Sequence, residues 1–384
     1  MNIASITTAI ILLAGSTLSA TTVHAQTPEP ERIPAKGLAV STGNGHFHTL
    51  DFTRHAVGPN DILIEILYSG ICHTDIHHVR EDWGKETFPM VPGHEIVGRV
   101  IQVGRDVTTF KPGDYAGVGC MIDSCGACAE CSDHFEQYCK DLVLTYHDRD
   151  PKHGNEVTQG GYSNCIVLPA AFAIHVPAGA DLKRVAPLLC AGITTFAPLN
   201  YAGVKAGDQV GVAGYGGLGH MAVQYAVARG AEVTVFDITE EKRADAQRMG
   251  AKRYVNVNNP AELDGLNNSF DFIISTIPAR YEPAMYLRML KRNGQLCIVG
   301  LPSNADMPSL TLSDLVMQGN RRVFGSQIGG IKETQEMLDY SVSKGIYPEV
   351  ELISATPEAV ESAYRQILDG KVKFRYVIDM KTLH

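Results

Sequence analysis

Gly214-Tyr215-Gly216-Gly217-Leu218-Gly219 is a G-x-G-x-x-G run, and its setting decides the fold. The pattern alone is weak. Here Val210 to Ala213 reads as a short buried strand before it, and Leu218 to Arg229 reads as a helix after it. That strand-turn-helix context is the one in which the pattern binds a dinucleotide. Gly214 permits the tight turn, Gly216 lets backbone approach a pyrophosphate, and Gly219 allows close packing of helix on strand. Gly217 and Leu218 complete the turn, and the helix N-terminus favours an anion. The competing reading is an ordinary glycine-rich turn between strand and helix. Asp237 ends the next expected strand, Glu232 to Phe236. A carboxylate there can accept hydrogen bonds from the adenosine ribose and repel a 2′-phosphate, which favours NAD over NADP. Lys242 and Arg243 lie close in sequence and are cations that could restore NADP binding. Asp237 could instead N-cap the helix expected over Glu240 to Met249.

Working outward, apolar runs at Phe272 to Ile274, Leu296 to Val299 and Arg322 to Phe324 extend the alternation of strands and helices over residues 187–331. Such alternation implies a doubly wound parallel sheet with crossover helices. Upstream, residues 35–186 are rich in Gly, His and Cys, with strands expected at Ile62 to Leu67 and Ile96 to Val103 and a turn at Lys111 to Asp114. This half reads as β-rich. Residues 332–384 are mixed, and Val372 to Met380 reads as a strand. The fold class is α/β with two domains, which suits 384 residues. A formal net charge of -9 gives no electrostatic reason to bind nucleic acid or anionic lipid.

Cys125, Cys128, Cys131 and Cys139 form C-x2-C-x2-C-x7-C. Four thiolates spaced so closely suit a tetrahedral zinc with no open position. Disulfides and an iron-sulfur cluster are the alternatives. Cys72, His94 and Cys190 form a looser set. Two thiolates and an imidazole leave a fourth position for water or substrate, as in a catalytic zinc site that acidifies an alcohol or polarises a carbonyl. Taken singly, each reads equally as a buried cysteine or a satisfied histidine, and spacing alone does not select them.

The N-terminus reads differently. Ile6 to Leu18 is apolar but too short to span a membrane, and Val23-His24-Ala25 before Gln26 resembles a signal-peptidase site. Residues 1–25 are therefore expected to be a cleaved leader and 26–34 a linker. This implies a periplasmic or secreted protein, or a cytoplasmic one if the leader is not used. Met1 to Ile11 carries no Lys or Arg, which weakens the leader reading.

Cys72-His73-Thr74-Asp75-Ile76-His77 leading to Asp82-Trp83-Gly84, then Phe88 to Glu95, the four-cysteine lobe with Glu136-Gln137-Tyr138-Cys139, Cys190-Ala191-Gly192, the glycine-rich turn and Gly325 to Gly330 follow in order. Together they resemble the zinc-dependent medium-chain alcohol dehydrogenases, in the cinnamyl alcohol dehydrogenase branch. The resemblance covers nearly everything after Ala35. It implies a GroES-like catalytic domain, a Rossmann domain, and return of the C-terminus to the first. It implies catalytic zinc on Cys72, His94 and Cys190, with Glu95 beside it as an alternate ligand, and a second, structural zinc in the lobe. It also implies that Asp75 orients His94, that Thr74 begins a proton relay, and that His73 and His77 contact cofactor or extend the relay. Homodimers are usual in such families. The sequence departs from the branch at Asp237, where the plant enzymes typically carry a small hydroxyl residue and use NADP. The leader is a second departure, because nicotinamide cofactors and reduced thiolates belong to the cytosol. The expected activity is hydride transfer between a nicotinamide cofactor and primary alcohols or aldehydes, aromatic or medium-chain. A polyol or formaldehyde-type dehydrogenase of the same fold is a second reading. A catalytically silent zinc protein with a redox-sensing or binding role in an oxidising compartment is the third.

Overall fold

The structure, a computed structural model, describes residues 31–384. The expected leader and most of the expected linker lie outside the described residues. The linker ends earlier than expected. Ile33 and Pro34 already belong to a strand, Ile33–Ala39, paired antiparallel with His48–Arg54. Pro34 is tolerated because this is a two-stranded ribbon, where a missing N–H can face outward.

Strands Arg253–Asn256, Glu232–Asp237, Gln209–Ala213, Phe270–Ser275, Leu290–Ile298 and Arg322–Gly325 form, in that order, one parallel sheet. The order is that of a doubly wound dinucleotide fold, which reverses direction beside Gln209–Ala213, where such sheets bind their ligands. The two central strands, Gln209–Ala213 and Phe270–Ser275, are mostly apolar and buried, as strands covered on both faces are. The glycine-rich turn leads into helix Gly219–Ala228. The next helix is Arg243–Arg248, shorter than Glu240 to Met249. Asp237 therefore does not cap it; it ends its own strand instead.

A second sheet runs Ile174–His175, Tyr115–Val118, Ile96–Val103, Asp61–Gly70, Arg375–Asp379, Val350–Ser354, with Cys165–Pro169 also paired to Asp61–Gly70. All its pairings are antiparallel except the last two strands on the path. The chain rejoins this sheet only at Val350. Helix Ile331–Lys344 still belongs to the nucleotide-side core, where Met337 and Leu338 are fully buried. Among the described residues no helix is long and apolar enough to cross a membrane.

Candidate active site

Cys72, His94 and Cys190 come from three turns that end regular elements. Cys72 caps helix His73–Val79 just after strand Asp61–Gly70. His94 precedes strand Ile96–Val103. Cys190 caps helix Ala191–Tyr201. All three are buried, and their ligand atoms, with one from Glu95, lie within 4.8 Å of one another. The two sulfurs are 3.9 Å apart. Two sulfurs about 2.3 Å from one tetrahedral ion would stand about 3.8 Å apart. Nε2 of His94 is buried without a hydrogen-bond partner, while Nδ1 lies 3.0 Å from Asp75 Oδ1. That carboxylate fixes the ring with Nδ1 protonated and the Nε2 lone pair free. The residues present therefore fit a zinc ion. Hydrogen bonding from the Cys190 thiol shifts Cys72 below the usual thiol range.

Asp75 is the organiser. Fully buried, it accepts the backbone N–H of Cys72 at 2.9 Å and that of Gly93 at 3.2 Å, and the Tyr162 hydroxyl at 3.1 Å, besides His94. Glu95 is fully buried and pairs with Arg375, on the strand that returns from the C-terminus. Burial pushes Glu95 up to about 7 although Arg375 opposes the shift.

In the four-cysteine lobe, Cys131 Sγ lies 3.9 Å from Cys125 Sγ and 3.5 Å from Cys128 Sγ. All four are free thiols, and these separations are far beyond a disulfide bond. One ion suits sulfurs this close, whereas a multi-iron cluster puts them on separate metals. Backbone N–H groups of Ala127 and Cys128 point at Cys125 Sγ and pull its pKa down to about 6, favouring the thiolate that a metal needs.

A cavity of about 980 Å³ joins this site to the parallel sheet. Cys72, Thr74, His94 and Cys190 line one side, and Leu218, with Ile298 to Leu301 at the end of the fifth strand, lines the other. Trp83 also lines it and donates from Nε1 to the Pro302 carbonyl at 2.9 Å, tying the two halves. Gly214 takes φ +84°, a left-handed turn that glycine makes freely. At Gly216 no protein atom lies within 4 Å of where a Cβ would be, so the backbone faces open space that a pyrophosphate can fill. Gly217 instead backs onto the Arg375 side chain, so its smallness serves packing between the two sheets.

Thr74 reaches the cavity, but His73 and His77 do not line it. His77 Nδ1 is held by Asp82 at 2.8 Å, and burial pushes His73 down to about 4, keeping it neutral. Asp237 accepts the Tyr215 N–H at 2.7 Å and the Ile238 N–H at 2.7 Å. It thus anchors the glycine-rich turn. Arg243 is engaged by Glu240, Glu262 and the Tyr254 carbonyl, so its guanidinium is not free for a 2′-phosphate. Lys242 makes no ion pair among the described residues. Arg375, Cys120, and Tyr146, whose ring lies parallel to His94 at 5.9 Å, also belong to the site and were not singled out from the sequence. None of the three sits in a recognisable motif.

The chain matches the alcohol dehydrogenase GroES-like domain over residues 58–178 and the zinc-binding dehydrogenase family over residues 217–343. It belongs to the zinc-dependent medium-chain alcohol dehydrogenases, in the cinnamyl alcohol dehydrogenase branch. It is 44% identical to the probable formaldehyde dehydrogenase AdhA of Bacillus subtilis, over 90% of this chain and 97% of that one. It is 41% identical to the probable cinnamyl alcohol dehydrogenase 3 of Oryza sativa, over 92% and 96%. Among solved structures, CAD from Helicobacter pylori complexed with NADP(H) superposes with a TM-score of 0.88 at 50% identity, covering 91% of this chain and 99% of that one. This alcohol dehydrogenase is an oxidoreductase that interconverts alcohols and aldehydes with a nicotinamide cofactor, which sets the silent-protein alternative aside.

Proposed function

We propose that this dehydrogenase reduces aromatic or medium-chain aldehydes, and oxidises the matching primary alcohols, with NAD(H) in preference to NADP(H) and two zinc ions per chain. The observation that carries the reading is the buried, unpartnered His94 Nε2 beside the Cys72 and Cys190 sulfurs, at the wall of a cavity reaching the glycine-rich turn. When bound, zinc would supply Lewis acidity and the nicotinamide would supply the redox chemistry. Cys72, Cys190 and His94 would hold the metal, and Asp75 would keep His94 in the ligating tautomer. Thr74, the hydroxyl on the cavity wall, carries the substrate proton. Glu95 stands by as an alternate ligand, with Arg375 restraining its charge. Trp83 supplies a flat wall and Leu301 an apolar one, which suits an aromatic ring.

Asp237, at the tip of its strand, supports the NAD preference through its charge. The Helicobacter relative was solved with NADP(H), so kinetics with both cofactors on benzaldehyde, cinnamaldehyde and formaldehyde are the test. A clear NADP preference overturns the cofactor assignment. Cys190→Ser should abolish most turnover while the lobe metal and the fold persist; full activity in that variant overturns the ligand assignment.

Helix Leu312–Met317 exposes Leu312, Val316 and Met317 at 81%, 77% and 75%, just before the edge strand Arg322–Gly325. Such an apolar edge supports a homodimer built across it. Sedimentation of wild type against Val316→Glu tests this, and an unchanged monomer-dimer balance refutes it. The leader motif supports export to the periplasm or medium, which N-terminal sequencing of the mature protein checks.

A further inference from the structure

We propose a third metal site, on His78, Glu86 and His147, taking a borderline divalent cation such as Zn2+ or Cu2+ in the wall of the substrate cavity. It is separate from the cysteine-based sites. His78 lies in helix His73–Val79, Glu86 in the following loop, and His147 in the loop after Val143–Leu144. Their side chains are only 13%, 9% and 17% exposed. His78 Nδ1 is 2.6 Å from one Glu86 oxygen and His147 Nδ1 is 3.2 Å from the other. The two rings lie 3.8 Å apart, and one ligand atom from each of the three residues falls within a common 4.8 Å. Two imidazoles and one carboxylate are a recognised donor set for such ions, with open positions remaining. Those positions face the cavity, because His78 and His147 both line it.

Three further observations favour a cation over a simple hydrogen-bonded anchor. Glu86 has no Lys or Arg partner among the described residues; Lys85 turns to Glu81 at 3.4 Å. Glu81 itself accepts the Glu86 N–H at 3.2 Å, adding negative charge nearby. Finally, His147 takes φ +57°, a strained backbone for a residue with a Cβ, and strain of that kind persists at functional sites. The other His-carboxylate cluster, His55, Asp150 and His153, is a useful control, since it lies off the cavity and His55 Nδ1 already bonds the Ala56 carbonyl at 2.9 Å.

The test is metal titration of the zinc-loaded full-length enzyme. Zn2+ added at micromolar levels should bind as one further equivalent above that held by the cysteine sites, measured by elemental analysis after desalting. Glu86→Gln and His147→Asn should lose that equivalent and keep the others. His153→Asn should keep all of them. No further equivalent in wild type, an undiminished one in Glu86→Gln, or its loss in His153→Asn each overturns the proposal. If the cavity variants do not fold, Cu2+ bound to the His153→Asn holoenzyme decides: its electron paramagnetic spectrum should carry coupling from two imidazole nitrogens, and fewer than two overturns the site.

Discussion

Replacing Asp75 by asparagine changes one oxygen to an NH2 group with almost no change in shape, and the surrounding donors decide the outcome. Oδ1 receives Gly93 N–H and the His94 ring; Oδ2 receives Cys72 N–H and the Tyr162 hydroxyl. With the NH2 at the Oδ1 position, Gly93 loses its acceptor and His94 must carry its proton on Nε2, where it cannot ligate. With the NH2 at the Oδ2 position, the Tyr162 hydroxyl can rotate to accept, and only the Cys72 N–H is stranded. The second orientation therefore wins, at about 1–3 kcal/mol for one buried donor left unpaired. The negative charge behind His94 is also gone, and such a loss weakens zinc about 10- to 100-fold, or about 1.4–2.8 kcal/mol. Competition of the purified enzyme against a chromophoric chelator should show the catalytic zinc weakened by that factor, while the lobe zinc, which does not touch Asp75, serves as an internal reference. Activity at limiting zinc should fall in parallel and recover when zinc is raised. Unchanged affinity at both sites, or equal weakening of both, refutes the reasoning.

Cys128→Ser should lower the melting temperature and the zinc content together, because a closed site contributes its binding energy to folding; unchanged values argue against a structural metal there. Asp237→Ser should raise kcat/KM for NADPH by about 10- to 100-fold through loss of charge repulsion, while NADH weakens; no shift in the ratio of the two contradicts the role of Asp237. His220 is fully buried under the glycine-rich turn, and burial pushes it down to about 3. The unfolded chain therefore takes up a proton that the native state refuses, so stability falls as pH drops below about 6.5, by up to about 1.4 kcal/mol per pH unit. Urea midpoints at pH 7 and pH 5 should converge more in His220→Leu than in wild type, and equal acid losses in both would count against this.

The parts legible in the sequence are those whose causes are local. The glycine-rich turn could be read because a left-handed φ at Gly214 and open space at Gly216 are properties of six consecutive residues. The four-cysteine lobe is likewise local. Cys72, His94 and Cys190 needed a resemblance to bring them together, because their meeting depends on the whole antiparallel sheet. Arg375 reaches Glu95 across 280 positions of chain, and nothing near it in sequence marks it out. Lys242 and Arg243 look alike in sequence, yet only the fold distinguishes them, since Glu262 and the Tyr254 carbonyl claim the arginine. The helix expected from Glu240 begins only at Arg243, and Glu240 lies in the turn before it, where it accepts from the Arg243 guanidinium.

Strand Arg375–Asp379 sits between Asp61–Gly70 and Val350–Ser354, so the antiparallel sheet is completed by a segment that follows Cys72, His94 and Cys190 in sequence. Cys72, His94 and Cys190 are therefore all synthesised before the strand that closes the sheet beside them. A truncation upstream of Arg375 would thus keep all three ligands yet leave the Glu95 carboxylate without its cation.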